Sequence, residues 1–193
     1  MKVAFLSSSW GTTLGGVLEA QERGELKAEI ACVVADRECP ALEKARAAGV
    51  DAVLVDRQSL SQQEFEAAVD GELKKRGVGL VCLAGFMRIL SPAFVRKWRG
   101  RLLNIHPSLL PKHAGGMDLN VHRAVIESRE RETGCTIHFV DEGVDTGAIV
   151  AQEKVSVREA DTPETLKARV QEAEKKLYVK VINDFAKKEA ENE

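Results

Sequence analysis

The run Leu80-Val81-Cys82-Leu83-Ala84 gives the first indication of the architecture, because it is apolar at every position and stops at Gly85. Such a run is typical of a strand that is buried on both faces of a parallel sheet. Four further short apolar runs predict strands of the same kind, at residues 3–6, 30–35, 52–55 and 102–105.

Helical patterns occupy the segments between these runs. Apolar residues recur at helical spacing within residues 14–18, 40–48 and 65–73. A glycine that can end a helix follows each segment, at Gly24, Gly49 and Gly77. Strands that alternate with helices predict an α/β fold, a doubly wound and mostly parallel sheet with helices on both faces.

The pattern changes after Pro107, where a loop rich in Gly and Pro leads to a predicted helix around residues 121–128. Two strand-like segments, 135–140 and 149–157, follow with little helix between them. We therefore expect the sheet to gain late antiparallel or irregular strands in this part of the chain.

The last predicted helix begins at Thr162, a candidate N-cap that is followed by Pro163. Its apolar stripe recurs every three to four residues and consists of Leu166, Val170, Leu177, Val181 and Phe185. The charged segment 187–193 is expected to fray. All elements fit one domain over residues 1–193.

Composition narrows the function classes. Of the 193 residues, 44% are apolar, 30% are charged and 5% are aromatic, and the formal net charge is −2. This balance predicts no nucleic-acid partner, and the short apolar runs predict no membrane span. The sequence shows no signal peptide and no paired cysteine motif, so a reducing cytoplasmic location is expected. The four histidines lack the spacing of a metal site, and no metal is predicted.

Three loops follow predicted strands at the edge where open α/β sheets bind ligands. The first, residues 7–13, precedes a helix whose free N–H groups could hold a phosphate, although it lacks both a Walker and a G-x-G-x-x-G pattern. Alternatively, it is an ordinary turn in which Thr12 or Thr13 caps the helix. The second loop, residues 85–90, offers an apolar surface for a flat ring, but core packing is the favoured interpretation of this loop by itself.

The third loop begins with Asn104 and His106, which share one face if the strand continues through them. An amide can donate to a developing oxyanion, and an imidazole can move a proton near neutral pH. Such a pair is more often structural than catalytic unless an acidic residue joins it, and residues 141–147 contain acidic candidates in a tight turn. His138 alternates with apolar neighbours and is interpreted as a core residue.

Three motifs together resemble the formyltransferase domain family that uses 10-formyltetrahydrofolate. They are AGFMRILSP at residues 84–92, NIHPSLLP at 104–111 and GVDTG at 143–147. The resemblance extends over about residues 2–185, and from this length the additional domain that several family members carry is expected to be missing. Residues 169–174, which include RVQ and a later glutamate, are similar to the nucleotide-contacting segment of members that act on glycinamide ribonucleotide.

The resemblance implies two small-molecule substrates, formyl folate as donor and glycinamide ribonucleotide as acceptor. It implies that the catalytic residues are Asn104, His106 and Asp145. It further implies acceptor-binding residues Gly11, Thr12, Thr13, Gln171 and Glu174. The implied folate-binding residues are Met87, Arg88, Ile89, Leu90, Asn104, Asp141, Glu142, Gly143, Val144 and Asp145. A monomer or a homodimer is expected.

The chain departs from the family pattern in the first loop. The family commonly has S-G-x-G-S-N, whereas this chain has Ser8-Ser9-Trp10-Gly11-Thr12-Thr13. Gln62 stands where some members place an arginine near the folate, and the loop 112–120 lacks the usual proline. Two other classes of function stay open. One is a related enzyme, which transfers the formyl group to another amine or hydrolyses formyl folate. The other is a folate- or nucleotide-binding protein without catalytic activity.

Overall fold

The computed structural model describes residues 1–192, and the predicted last position of the domain, 193, lies outside them. Seven strands form the sheet: β1 Lys2–Leu6, β2 Glu29–Ala35, β3 Ala52–Leu54, β4 Leu80–Leu83, β5 Leu102–His106, β6 Glu132–Phe139 and β7 Ile149–Ser156. Six helices accompany them: α1 Thr12–Glu22, α2 Pro40–Ala47, α3 Gln62–Lys75, α4 Pro92–Lys97, α5 Leu119–Glu127 and α6 Pro163–Asn192.

The sheet is mixed, with the strand order β3-β2-β1-β4-β5-β6-β7. The first five strands are parallel, and β6 and β7 are antiparallel additions after β5. The predicted doubly wound, mostly parallel sheet with late antiparallel strands is therefore confirmed. No helix within residues 1–192 is long and apolar enough to cross a membrane.

Successive strand residues face opposite layers, as the period of a strand requires. Val3 and Phe5 pack into one apolar cluster with α1, α2, α5 and α6, whereas Ala4 and Leu6 pack into another with α3 and α4. Cys82 is fully buried in the first cluster, as its position in an apolar strand predicts. Both faces of the sheet are thus covered.

The helix ends follow local rules. Ser61 forms a capping box with Glu64 at the start of α3. Helix α4 was not predicted, although Ser91 caps it and Pro92 occupies its first turn. The prediction of a frayed tail is wrong for the described residues, because α6 continues to Asn192.

Candidate active site

The crevice for a ligand lies where β1 and β4 are neighbours, because the chain leaves these strands toward opposite sides of the sheet. The loops after the two strands are bonded to each other. Ser7 Oγ donates to the Ala84 carbonyl at 2.7 Å, and Ser8 N–H donates to the Gly85 carbonyl at 3.1 Å. The floor of the crevice is therefore rigidly connected to the sheet.

Asn104 and His106 stand at the end of β5, the strand beside β4. The strand continues through both residues, so their two-residue spacing places them on one face, as predicted. His106 is 3% exposed and Asn104 is half-buried. Both side chains therefore project from an ordered strand rather than from a mobile loop.

Asp145 reaches the same place from the turn between β6 and β7. The Phe139 N–H donates to the Ala148 carbonyl at 2.9 Å, so residues 140–147 form a closed excursion from the sheet. Asp141 holds this turn through Thr146 Oγ1 at 2.7 Å and Gly143 N at 3.1 Å. Asp145 itself has a φ of 55°, in the left-handed region. Such a backbone conformation is rare for a residue other than glycine and occurs often at functional sites.

The three predicted catalytic side chains meet. Asp145 Oδ2 lies 3.1 Å from His106 Nδ1, and Asp145 Oδ1 lies 3.5 Å from Asn104 Nδ2. Burial opposes ionisation of Asp145, but the hydrogen bonds that it accepts from His106 and from the Gly115 N–H favour the charged form, and its pKa is held well below the usual range. The carboxylate is therefore charged next to the imidazole.

His138 is a neighbour of this cluster that the sequence interpretation missed. It is buried, as predicted, yet its Nε2 lies 3.2 Å from Asn104 Nδ2, because the two residues pair directly across β5 and β6. Its Nδ1 lies 2.8 Å from the Phe139 carbonyl, which can only accept. In a neutral ring Nδ1 thus carries the hydrogen, and Nε2 accepts from the Asn104 amide. This orients the amide nitrogen toward the site.

The loop at residues 112–118 also contacts the catalytic cluster. The His113 carbonyl lies 3.0 Å from His106 Nε2, and the Gly115 N–H donates to Asp145 Oδ2 at 2.9 Å. Each ring nitrogen of His106 therefore faces an acceptor oxygen, and only the doubly protonated ring can donate to both.

The predicted phosphate loop leaves the N-terminus of α1 open. Gly11, with a φ of 62°, is the N-cap, and no side chain caps the helix. The alternative of a turn capped by Thr12 or Thr13 is therefore wrong. A Cβ on Gly11 would lie 2.9 Å from Ala41 Cα, so the residue must be glycine for α1 and α2 to approach. Trp10 is 75% exposed beside this helix start.

Glu174 joins the two predicted parts of the acceptor site. The Thr13 hydroxyl donates to Glu174 Oε2 at 2.5 Å, and Glu174 is only 6% exposed. Glu174 therefore does not lie on a solvated helical face, and Gln171, one turn earlier, is half-buried. Burial raises the pKa of Glu174 to about 7.

The predicted folate-binding segment contains two kinds of residue. Leu90 is buried in the core, whereas Met87 and Ile89 are 47% and 75% exposed. Core packing therefore explains Leu90 and the preceding Phe86, but not the exposed Met87 and Ile89. The Arg88 guanidinium forms an ion pair with the buried carboxylate of Asp36 at the end of β2. Exposed apolar side chains of this size are a suitable surface for a flat ligand.

The second predicted wall of that pocket is the turn that carries Asp145. Val144 is 51% exposed, and Glu142 pairs with Arg96 of α4 at 2.9 Å. This ion pair links the turn to the helix that follows the Met87–Leu90 segment. Among residues 1–192, no group of three or more His, Cys, Asp or Glu side chains is arranged to hold a metal ion.

Comparison with known proteins identifies the class. Residues 1–182, which include the sheet through β7 and the cluster of Asn104, His106 and Asp145, match the family described as Formyl transferase. The chain belongs to this family.

Particular relatives narrow the comparison. Phosphoribosylglycinamide formyltransferase of Haemophilus influenzae is 40% identical over 95% of this chain and 86% of that protein. The trifunctional purine biosynthetic protein adenosine-3 of Gallus gallus is 48% identical over 92% of this chain, which spans only 18% of that protein. The structure of glycinamide ribonucleotide transformylase 1 from Symbiobacterium toebii has a TM-score of 0.90 at 40% identity, and the match covers 97% of this chain and 88% of that chain.

Proposed function

We propose that this protein is a phosphoribosylglycinamide formyltransferase, which transfers the formyl group of 10-formyltetrahydrofolate to the amine of glycinamide ribonucleotide in purine biosynthesis. The observation that carries the proposal is the cluster of Asn104, His106 and Asp145 at the ligand-binding edge of the sheet, in which the Asp145 carboxylate lies 3.1 Å from His106 Nδ1 and 3.5 Å from Asn104 Nδ2. Membership of the family and the names of the full-length relatives support the same reaction.

The acceptor would bind between α1 and α6. Its phosphate fits the open N-terminus of α1 at Gly11, Thr12 and Thr13, where unpaired N–H groups and the helix dipole favour an anion. The hydrogen bond between Thr13 and Glu174 supports a role for Glu174 in the same site, where it and Gln171 would bind the hydroxyl and amine groups of the acceptor. The folate ring would lie between Met87–Leu90 and the Asp141–Val144 turn.

The proposed chemistry is direct acyl transfer. The acceptor amine attacks the formyl carbon, and the tetrahedral adduct collapses when the bond from that carbon to the folate nitrogen breaks. One proton leaves the amine and one is delivered to the departing nitrogen, so the products are the N-formyl acceptor and tetrahydrofolate.

Three side chains would serve this reaction. One hydrogen of the Asn104 amide has only the long 3.5 Å contact to Asp145, so it is free to turn to the developing oxyanion. Protonated His106, held between Asp145 and the His113 carbonyl, would place a positive charge beside that oxyanion. Asp145, charged and bonded to the ring, would stabilise the imidazolium.

The direct test is an assay of the purified protein with formyl folate, with and without glycinamide ribonucleotide. Release of tetrahydrofolate only when the acceptor is present supports the proposal. Release without an acceptor would indicate a hydrolase, and release only with another amine would indicate a different acceptor. Binding without turnover in every combination would indicate a protein that has no catalytic activity.

A further inference from the structure

The 112–118 loop holds two of the predicted catalytic side chains through its backbone. Its His113 carbonyl accepts from His106 Nε2 at 3.0 Å, and its Gly115 N–H donates to Asp145 Oδ2 at 2.9 Å. A shift of this loop by one ångström would break both hydrogen bonds. Whatever fixes the loop therefore also fixes the imidazole and the carboxylate.

The backbone of the loop does not favour this conformation by itself. His113 and Asp118 have φ values of 57° and 50°, a region that is unfavourable for residues with a Cβ. Contacts from outside the loop must therefore maintain it. At its first end, Lys112 and His113 bind Glu130 at 2.8 Å and 2.6 Å.

At its other end, the loop is held by Asp118. This residue is the N-cap of α5, yet its carboxylate does not cap the helix. It forms an ion pair with Lys167 of α6 instead. An aspartate at this position ordinarily bonds the free N–H groups of its own helix, so the pair with Lys167 takes the place of the usual local contact.

Lys167 belongs to the side of α6 that faces the site. It precedes Gln171 by four residues and Glu174 by seven, a spacing that places all three on one helical face. The ion pair therefore connects the loop above His106 with the helix that contacts Thr13.

We propose that Asp118 and Lys167 are positioning residues for formyl transfer, because their ion pair fixes the 112–118 loop in the conformation that orients His106 and Asp145. The effect on catalysis rests on the proposed function, whereas the effect on the loop does not. The lysine side chain is 26% exposed and the aspartate 59%, so the expected effects are those of a partly exposed pair.

A double-mutant cycle tests the pair. The variants are Asp118→Asn, which keeps a residue that tolerates positive φ, Lys167→Met, which keeps the length of the side chain, and both together. Each single variant should accelerate hydrogen exchange at the Gly115 amide about 1.5- to 5-fold and lower kcat by a similar factor, with a smaller change in KM for formyl folate. The double variant should match the single ones, and Lys167→Arg should behave as the unaltered protein.

The matched control is Lys154→Met, which removes a lysine paired with Glu132 at 2.8 Å on the β6–β7 ribbon. It should change neither exchange nor turnover. Unaltered Gly115 exchange in both single variants, or additive effects in the double variant, would overturn the proposal. Hydrogen exchange at Gly115 is measured without substrate. Failure of the protein to transfer a formyl group would therefore refute the proposed function but not the effect of the ion pair on the loop.

Discussion

Replacement of Glu174 by Gln should make the protein more stable than the unaltered chain. This gain in stability should be larger at neutral and alkaline pH than at acidic pH. Glu174 is 6% exposed, and burial raises its pKa from an ordinary 4.5 to about 7. The folded state thus binds a proton that the unfolded state has already released between these two pH values. Stability therefore falls as the pH rises through this window.

The magnitude follows from the two pKa values. A rise from 4.5 to about 7 corresponds to a destabilisation of about 3 kcal/mol once the pH exceeds 7, and to none below pH 4.5. Gln has the same shape as protonated Glu and can still accept from the Thr13 hydroxyl, so it should remove this penalty without a new cavity.

Urea unfolding followed by circular dichroism between pH 4 and pH 8 gives the required free energies. The stability of Glu174→Gln minus that of the unaltered chain should increase by about 3 kcal/mol across this range. Glu172→Gln is the control, because Glu172 is exposed on the same helix and should keep the original pH dependence. If the difference in stability between Glu174→Gln and the unaltered chain stays constant with pH, the interpretation that burial raises the pKa of Glu174 is refuted.

Two further substitutions test the site and its supporting turn. His106→Ala should nearly abolish formyl transfer while folate binding stays measurable by calorimetry, and retained turnover would contradict a role in proton transfer. Gly147→Ala should destabilise the fold by about 1–3 kcal/mol or more and displace Asp145, because the new Cβ would lie 1.7 Å from the Phe139 carbonyl oxygen. Thermal unfolding measures this loss of stability. The control is Gly71→Ala, which lies in an open part of α3 and should stabilise the protein slightly. Equal stability changes in the two variants would contradict the steric argument.

The sheet could be predicted from the sequence because its strands are buried on both faces. A run such as residues 80–83 is apolar at every position, a pattern that is typical of a strand covered on both faces. Helix α4 escaped prediction because six residues are too short to show a helical period, although Ser91 and Pro92 signalled its start. The helical structure after Ala186 was not predicted because this segment is charged and shows no apolar stripe. It is held by an ion pair between the N-terminal amine and Glu189, a long-range contact that a local pattern does not reveal.

The candidate site was predicted only as far as local patterns and family resemblance allow. Asn104 and His106 share a strand, so their common face follows from the spacing alone. The proximity of His138 depends on the β5–β6 register, which no local pattern specifies. The burial of Glu174 likewise depends on a tertiary contact, the packing of α1 against α6. This contact buries a position on the polar side of α6, which the helical pattern does not predict.

Turnover of the Asn104→Ala variant is the most informative single measurement, with glycinamide ribonucleotide and formyl folate both saturating. If the side-chain amide stabilises the oxyanion beside His106 and Asp145, kcat should fall by about 10²–10³, with only a modest change in the binding of either substrate. A variant that turns over at nearly the rate of the unaltered protein would show that the chemistry takes place elsewhere.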